Sequence, residues 1–164
     1  MGCEECGFEY DLAKALEAAS SIVTGIAEFA AVLSDSRADV RTRRAPTQWS
    51  PLEYGCHLRD VLLVQRERVL TARRRDRPSF ESMGRDERVD HDGYAEQEPD
   101  DVACQLTIAA QLFANVLGRL SPDDWDRNVI YNYPREAERS LRWIAVHTHH
   151  EVSHHLLDAR RQLA

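Results

Sequence analysis

The sequence predicts an all-α protein and, within that class, a four-helix bundle. Three observations carry this. Apolar residues recur at spacings of three and four along four separate stretches. A Ser-x-x-Glu capping box opens one of them, in "WSPLE" at 49–53. No stretch shows the apolar–polar alternation of a half-buried strand, so no sheet is expected.

The first helix is predicted from about Tyr10 to Leu33, with Leu12, Leu16, Ala19, Val23, Ile26 and Ala30 on its stripe. A polar connection, "SDSRADVRTRRAP", follows. The second helix has the clearest start. Ser50 caps it, Pro51 takes the first helical position, and Glu53 completes the box. It runs through Leu52, Cys56, Leu63 and Leu70 to about Arg73. The "TARRRDR" cluster at 71–77 reads as cations at a helix C-terminus, where the dipole favours them. A polar stretch from Asp76 to about Glu98 carries Pro78, Gly84 and Gly93 and has no period. The third helix starts at "PDDVACQL", with acids in its first turn, and ends near Leu120. The loop "SPDDWDRNVIYNYP" is aromatic, with Trp125, Tyr131 and Tyr133. The fourth helix is expected from just after Pro134 to the C-terminus. The connection between helices two and three, roughly 25 residues, is long for neighbours in a compact domain. A crossing of the bundle there gives up-down-down-up order. Residues 1–164 read as a single domain, with 1–9 as a tail and Trp49 joining the four stripes in one core.

Composition bounds function. Apolar content is 43% and net charge −7, so there is no basic footprint for nucleic acid. No unbroken run approaches the roughly 18 apolar residues of a membrane span. The opening "MGCEECGFEYD" has no apolar core of a secretory signal, and the cytoplasm is the expected location. Lys14 is the only lysine among 21 basic residues, which reads as a GC-rich bacterial genome.

Four cysteines, Cys3, Cys6, Cys56 and Cys104, do not suggest a disulfide framework in a cytosolic chain. Cys3 and Cys6 form one C-x-x-C, which is half a zinc site or a free, reduced tail.

"HTHHEVSHHLLD", at 147–158, holds five of the seven histidines. At about 100° per residue from Val152, the residues Leu141, Ala145, Thr148, Leu156, Ala159 and Leu163 fall within roughly 40°. They form the core stripe. His155 lies about 60° from its centre and Glu151 about 100°, on one side. His147, His150 and His154 point the opposite way, giving a separate outward face. Glu151 and His155, at i and i+4, can offer an oxygen and a nitrogen to one ion. His57, on the second helix, is the candidate third ligand. Three protein ligands leave a coordination position open, as in catalytic zinc sites. His150 and His154 share the same spacing, so periodicity favours Glu151 and His155 without excluding them. A buried, satisfied His57 and a surface Glu151–His155 pair are the alternatives without metal.

"QWSPLEYGCHLRDV" resembles the second helix of the DinB-like superfamily, and "HHEVSHHLLDARR" its last helix. The resemblance spans essentially the whole chain. It implies an up-down-down-up bundle holding a divalent ion, with His57, Glu151 and His155 in the ligand places. Many members have His in the middle place. Glu there is similar to the mycothiol-dependent maleylpyruvate isomerase branch. Reading His150 and His154 as the pair restores two histidines but shifts the following residues by one. Zinc is the expected ion, with nickel or iron also suited to these ligands.

An open divalent ion lowers the pKa of a bound thiol or water. Several relatives imply activation of a low-molecular-weight thiol for transfer or isomerisation. Three functions stay open: a thiol-dependent transferase or isomerase, a metal-dependent hydrolase, and a non-catalytic metal-binding stress or interaction protein. The expected partner is a small-molecule substrate or thiol, with neither nucleic acid nor membrane; a homodimer is the one assembly considered. Cys3, Cys6, His150 and His154 form an alternative or second metal site, a closed Cys2His2 set if the tail folds back along the last helix. A solvated histidine face beside a free tail is its alternative.

Overall fold

The computed structural model describes residues 2–132 and 135–163. Tyr133 and Pro134, which the sequence reading used to mark a loop and a helix start, lie outside the described residues. A 3-10 turn, Leu12–Glu17, leads into α1, Ala18–Leu33. Next come α2, Pro51–Arg74, and β1, Ser79–Phe80. The connection continues with α3, Arg85–His91, and a 3-10 turn, Tyr94–Glu96. Then follow α4, Pro99–Leu117, and α5, Pro122–Trp125. The chain ends in β2, Asn128–Tyr131, β3, Ala137–Ser140, and α6, Leu141–Leu163.

The four long helices α1, α2, α4 and α6 form the bundle. Both α1 and α2 pack chiefly on α4 and α6, and touch each other less. Their buried faces meet in one core, including Ile22, Ile26 and Phe29, Leu52, Leu58 and Leu62, Leu106 and Phe113, and Leu141 and Ile144, while Leu12, Leu16 and Val23, expected on the first stripe, and Leu63, expected on the second, are exposed. Each such side chain contributes about 1.5–3 kcal/mol when fully buried. Trp49 packs against this core while partly buried. On α1, Gly25 permits a close approach: a Cβ there would stand 2.7 Å from Val152 Cγ1. The smallest residue of α1 thus meets α6 beside Glu151.

Leu12–Leu33 is long and apolar enough, by length and composition, to cross a membrane, with a mean hydropathy of 1.5. It is not an unbroken apolar run, because Lys14, Glu17 and Glu28 interrupt a stretch rich in alanine. In the fold, this segment supplies Ala15, Ala18, Ile22, Ile26, Phe29 and Leu33 to the core.

The all-α expectation needs correction. A three-stranded sheet is present, in the order β1-β2-β3. β1 pairs parallel with β2, Phe80 opposite Tyr131, and β2 pairs antiparallel with β3 from Asn128–Ser140 to Tyr131–Ala137. β3 occupies residues expected to be the start of the last helix, which begins instead at Leu141. The sheet stitches the connection after α2 to the aromatic loop before α6.

The capping box forms as expected. Ser50 Oγ accepts from the Glu53 N–H at 3.3 Å, and Glu53 Oε2 accepts from the Ser50 N–H at 2.8 Å. Glu53 is also paired with Arg43, whose Nε donates at 2.7 Å. This cap fixes where α2 begins, and so where His57 points nearly two turns later.

Ser50→Ala should lower the unfolding free energy by about 1 kcal/mol in urea melts. Burial raises the Glu53 pKa, but hydrogen bonds from Arg43 and Ser50 outweigh it and bring the carboxyl below its ordinary 4.5. A lowered carboxylate contributes stability that is complete above its unfolded pKa and lost as pH falls through the folded one. Stability should therefore decline below about 4.5, and Glu53→Gln should flatten part of that decline.

Candidate metal centre

His57 sits on α2 facing α6 and is only 2% exposed. Its Nε2 stands 3.9 Å from Glu151 Oε2, beyond hydrogen-bond reach, and its Nδ1 has no partner. Neither nitrogen of this buried ring is satisfied by the protein. Burial lowers its pKa against the pull of Glu151, so it is neutral, the form that ligates metals. Trp49 packs on one side of it, with ring centroids 5.2 Å apart.

From α6, Glu151 Oε2 lies 3.6 Å from His155 Nε2. Donor atoms of His57, Glu151 and His155 all lie within 4.8 Å of one another. His155 stacks on Tyr54. Its Nδ1 faces Asp158 Oδ2 at 3.2 Å. A carboxylate on the far nitrogen fixes the tautomer and turns Nε2 toward the cluster, the usual outer-sphere arrangement of a ligating histidine. Burial lowers the His155 pKa, and Asp158 and Glu151 outweigh it. Burial likewise raises Glu151, but the neighbouring imidazoles of His150, His155 and His57 hold it well below the carboxylate range. Two imidazoles and one carboxylate suit a divalent ion such as zinc.

The other oxygen of Glu151 faces His150 Nδ1 at 3.5 Å and His147 Nε2 at 3.8 Å. The expected separate outward face is thus corrected: His147 and His150 join the same carboxylate. They are also covered. Tyr10 Oη lies 2.9 Å from Nδ1 of both rings, and Phe8 packs edge-on to His150. His147 stacks on Trp143, and burial brings its pKa down to about 4. His149 points elsewhere, against Phe8 and a groove beside α1.

The Cys3–Cys6 segment docks rather than trailing. Gly2 and Glu9 form an antiparallel bridge, and the turn closes with the Gly7 N–H on the Cys3 carbonyl at 2.8 Å. Gly7 takes φ +72°, a left-handed conformation that glycine adopts without penalty. Donor atoms of Cys3, Cys6, His150 and His154 also lie within 4.8 Å of one another.

A cavity of about 130 Å³ opens onto the first cluster, lined by His57, Glu151, His155, His147, Arg68 and Tyr131 among others. That is several times the roughly 30 Å³ of one liquid water. Tyr131 Oη accepts from Gln65 Nε2 at 2.9 Å and Arg68 Nη1 at 2.8 Å. Arg68 also bonds the Glu81 carbonyl and lies over the Tyr131 ring. It has no carboxylate partner among the described residues, so a buried guanidinium lines the cavity. The sequence reading passed over Arg68, Tyr10 and Asp158. Only Asp158 had a local signal, three residues beyond His155 on one helix face.

A family model described as the DinB superfamily matches residues 21–159. The chain belongs to the DinB superfamily. No curated protein sequence matches it. Among solved structures, this DinB protein is similar to YfiT from Bacillus subtilis, described as a probable metal-dependent hydrolase with an unusual four-helix bundle topology. The identity is 15%, the TM-score 0.72, and 94% of each chain is covered. At that identity the likeness is one of fold.

His57→Ala should lose most of the divalent ion bound at this centre, and His149→Ala little, by elemental analysis of purified protein. Asp158→Ala should weaken metal affinity roughly 10–100-fold in calorimetric titration.

Proposed function

We propose that this DinB protein is a metal-dependent enzyme for a small anionic molecule. His57, Glu151 and His155 hold its divalent ion, with zinc as the first choice. The observation that carries the reading is their convergence on a cavity whose wall includes the guanidinium of Arg68. When bound, the ion supplies Lewis acidity, lowering the pKa of a thiol or a water that reaches it.

The rest of the work falls to the chain. Glu151 holds His155 from one side and Asp158 from the other, so that ring keeps one orientation. Tyr131 and Gln65 hold Arg68 at the cavity wall, where it takes the anionic end of a ligand. Neutral His147 is pinned at the cavity wall by Tyr10 and Trp143. A low-molecular-weight thiol undergoing transfer or isomerisation is the preferred chemistry. The cationic wall supports it, and the Glu-x-x-x-His pair resembles the mycothiol-dependent branch. Hydrolysis is the second reading, favoured by the likeness to YfiT and its description. The up-down-down-up helix order and a cytoplasmic location belong to the same proposal.

The test is turnover of a panel of electrophiles and esters, with and without added thiols, before and after chelation. Chelation should abolish turnover, and thiol-dependent loss of electrophile supports transfer. Ester cleavage that is indifferent to thiol supports hydrolysis. Metal-loaded protein that turns over neither would sink the enzymatic reading. Arg68→Met should weaken binding of anionic ligands roughly 10–100-fold, from the ~1.5–3 kcal/mol of a charge-assisted hydrogen bond, while Arg68→Lys should recover part of it.

A further inference from the structure

The N-terminal turn and the far side of α6 bring together a donor set that the catalytic reading does not use. Cys3 and Cys6 are free thiols, not a disulfide. Cys3 Sγ lies 3.6 Å from His154 Nδ1. His154 Nε2 is occupied, facing Asp158 Oδ2 at 3.3 Å and Glu5 Oε2 at 3.4 Å. His150 shows the same division. Its Nδ1 meets Tyr10 and Glu151, while its Nε2 is buried with no partner. Each imidazole therefore has one nitrogen held by the protein and one left for the cysteine side.

The spacing suits a bound ion. Donors around a tetrahedral ion with bonds of about 2.0–2.3 Å stand about 3.3–3.8 Å apart. The four donors here lie within 4.8 Å of one another, so a contraction of about an ångström closes the set. The turn favours it too: Gly7 lets the backbone reverse immediately after Cys6, so both thiols belong to one tight turn.

We propose that Cys3, Cys6, His150 and His154 form a second metal site, a closed Cys2His2 zinc site with a structural role. Four protein donors leave no open position, which separates it in kind from the three-ligand centre. The ion fastens residues 2–10 to α6 and so keeps Tyr10 on His147 and His150. The two sites are joined through shared carboxylates. Asp158 Oδ2 faces both His154 and His155, and Glu151 faces His150, His57 and His155. The second site does not depend on the catalytic reading.

Metal stoichiometry and cobalt spectroscopy test it on the full chain. Purified protein should carry two zinc ions. The Cys3→Ser/Cys6→Ser variant should carry one, and its cobalt form should lose the thiolate-to-cobalt charge-transfer absorption. His57→Ala should also carry one but keep that absorption. One ion per chain, unchanged by the double substitution, would overturn the second site. An absorption that persists while His57→Ala leaves the ion count unchanged would instead overturn the catalytic centre. The wild-type protein gives an independent check. A thiol reagent should modify exposed Cys104 readily and reach Cys3 and Cys6 only after chelation. Immediate modification of all three thiols would refute the proposal.

Discussion

The arrangement of α6 depends on one partly buried charge, the carboxylate of Glu151. Its two oxygens face four imidazoles, His57 and His155 on one side and His147 and His150 on the other. Removing a carboxylate from water costs several kcal/mol unless positive charge and hydrogen bonds compensate it. The neighbouring rings supply part of that compensation, and a divalent ion would supply more. Because those rings come from α2 and α6, the bundle must hold the two helices in fixed rotation. Gly25 contributes by letting α1 close on Val152, the next residue along. The Ser50–Glu53 cap contributes by fixing the start of α2, at Pro51, six residues before His57.

Around that charge, aromatic surfaces and carboxylates divide the work. Trp49, Tyr54 and Trp143 pack against the rings of His57, His155 and His147 and limit their rotation. Carboxylates then decide which nitrogen faces inward. Asp158 does this for two rings at once, since one oxygen lies within 3.3 Å of both His154 and His155. A single side chain thereby sets the direction of one imidazole in each cluster. This is why its effect on metal affinity should exceed that of a residue that touches neither cluster.

The long helices were legible because their apolar spacing is local and repeated, and because α2 begins with a capping box that formed as written. The sheet was not legible. β1 has two residues and finds its partner about fifty positions later, and β3, "AERS", has no apolar alternation to detect. Direction on α6 was read correctly for the core stripe. It failed for His147 and His150, because an angle measured from the core says nothing about what covers the other side. The cover comes from Phe8 and Tyr10, in a segment whose docking depends on a glycine turn and on contacts to α6 far along the chain. The three residues chosen as ligands do come together, since each choice rested on i, i+4 spacing or on the scarcity of histidines elsewhere.

The crowding of ligand-type residues on α6 has a geometric reading. Glu151 and His155 form one pair at i, i+4, and His150 and His154 form the same pair displaced by one residue. A displacement of one residue turns a helix by about 100°. One pair therefore addresses α2 and His57, and the other addresses the N-terminal turn with Cys3 and Cys6. A helix that needed only one ion would need only one pair. Two pairs in adjacent registers are what one helix requires to face two different partners, and each partner here brings the donors its pair lacks. The solvated-face alternative leaves His150 Nε2 buried without a partner, a cost that a bound ion removes.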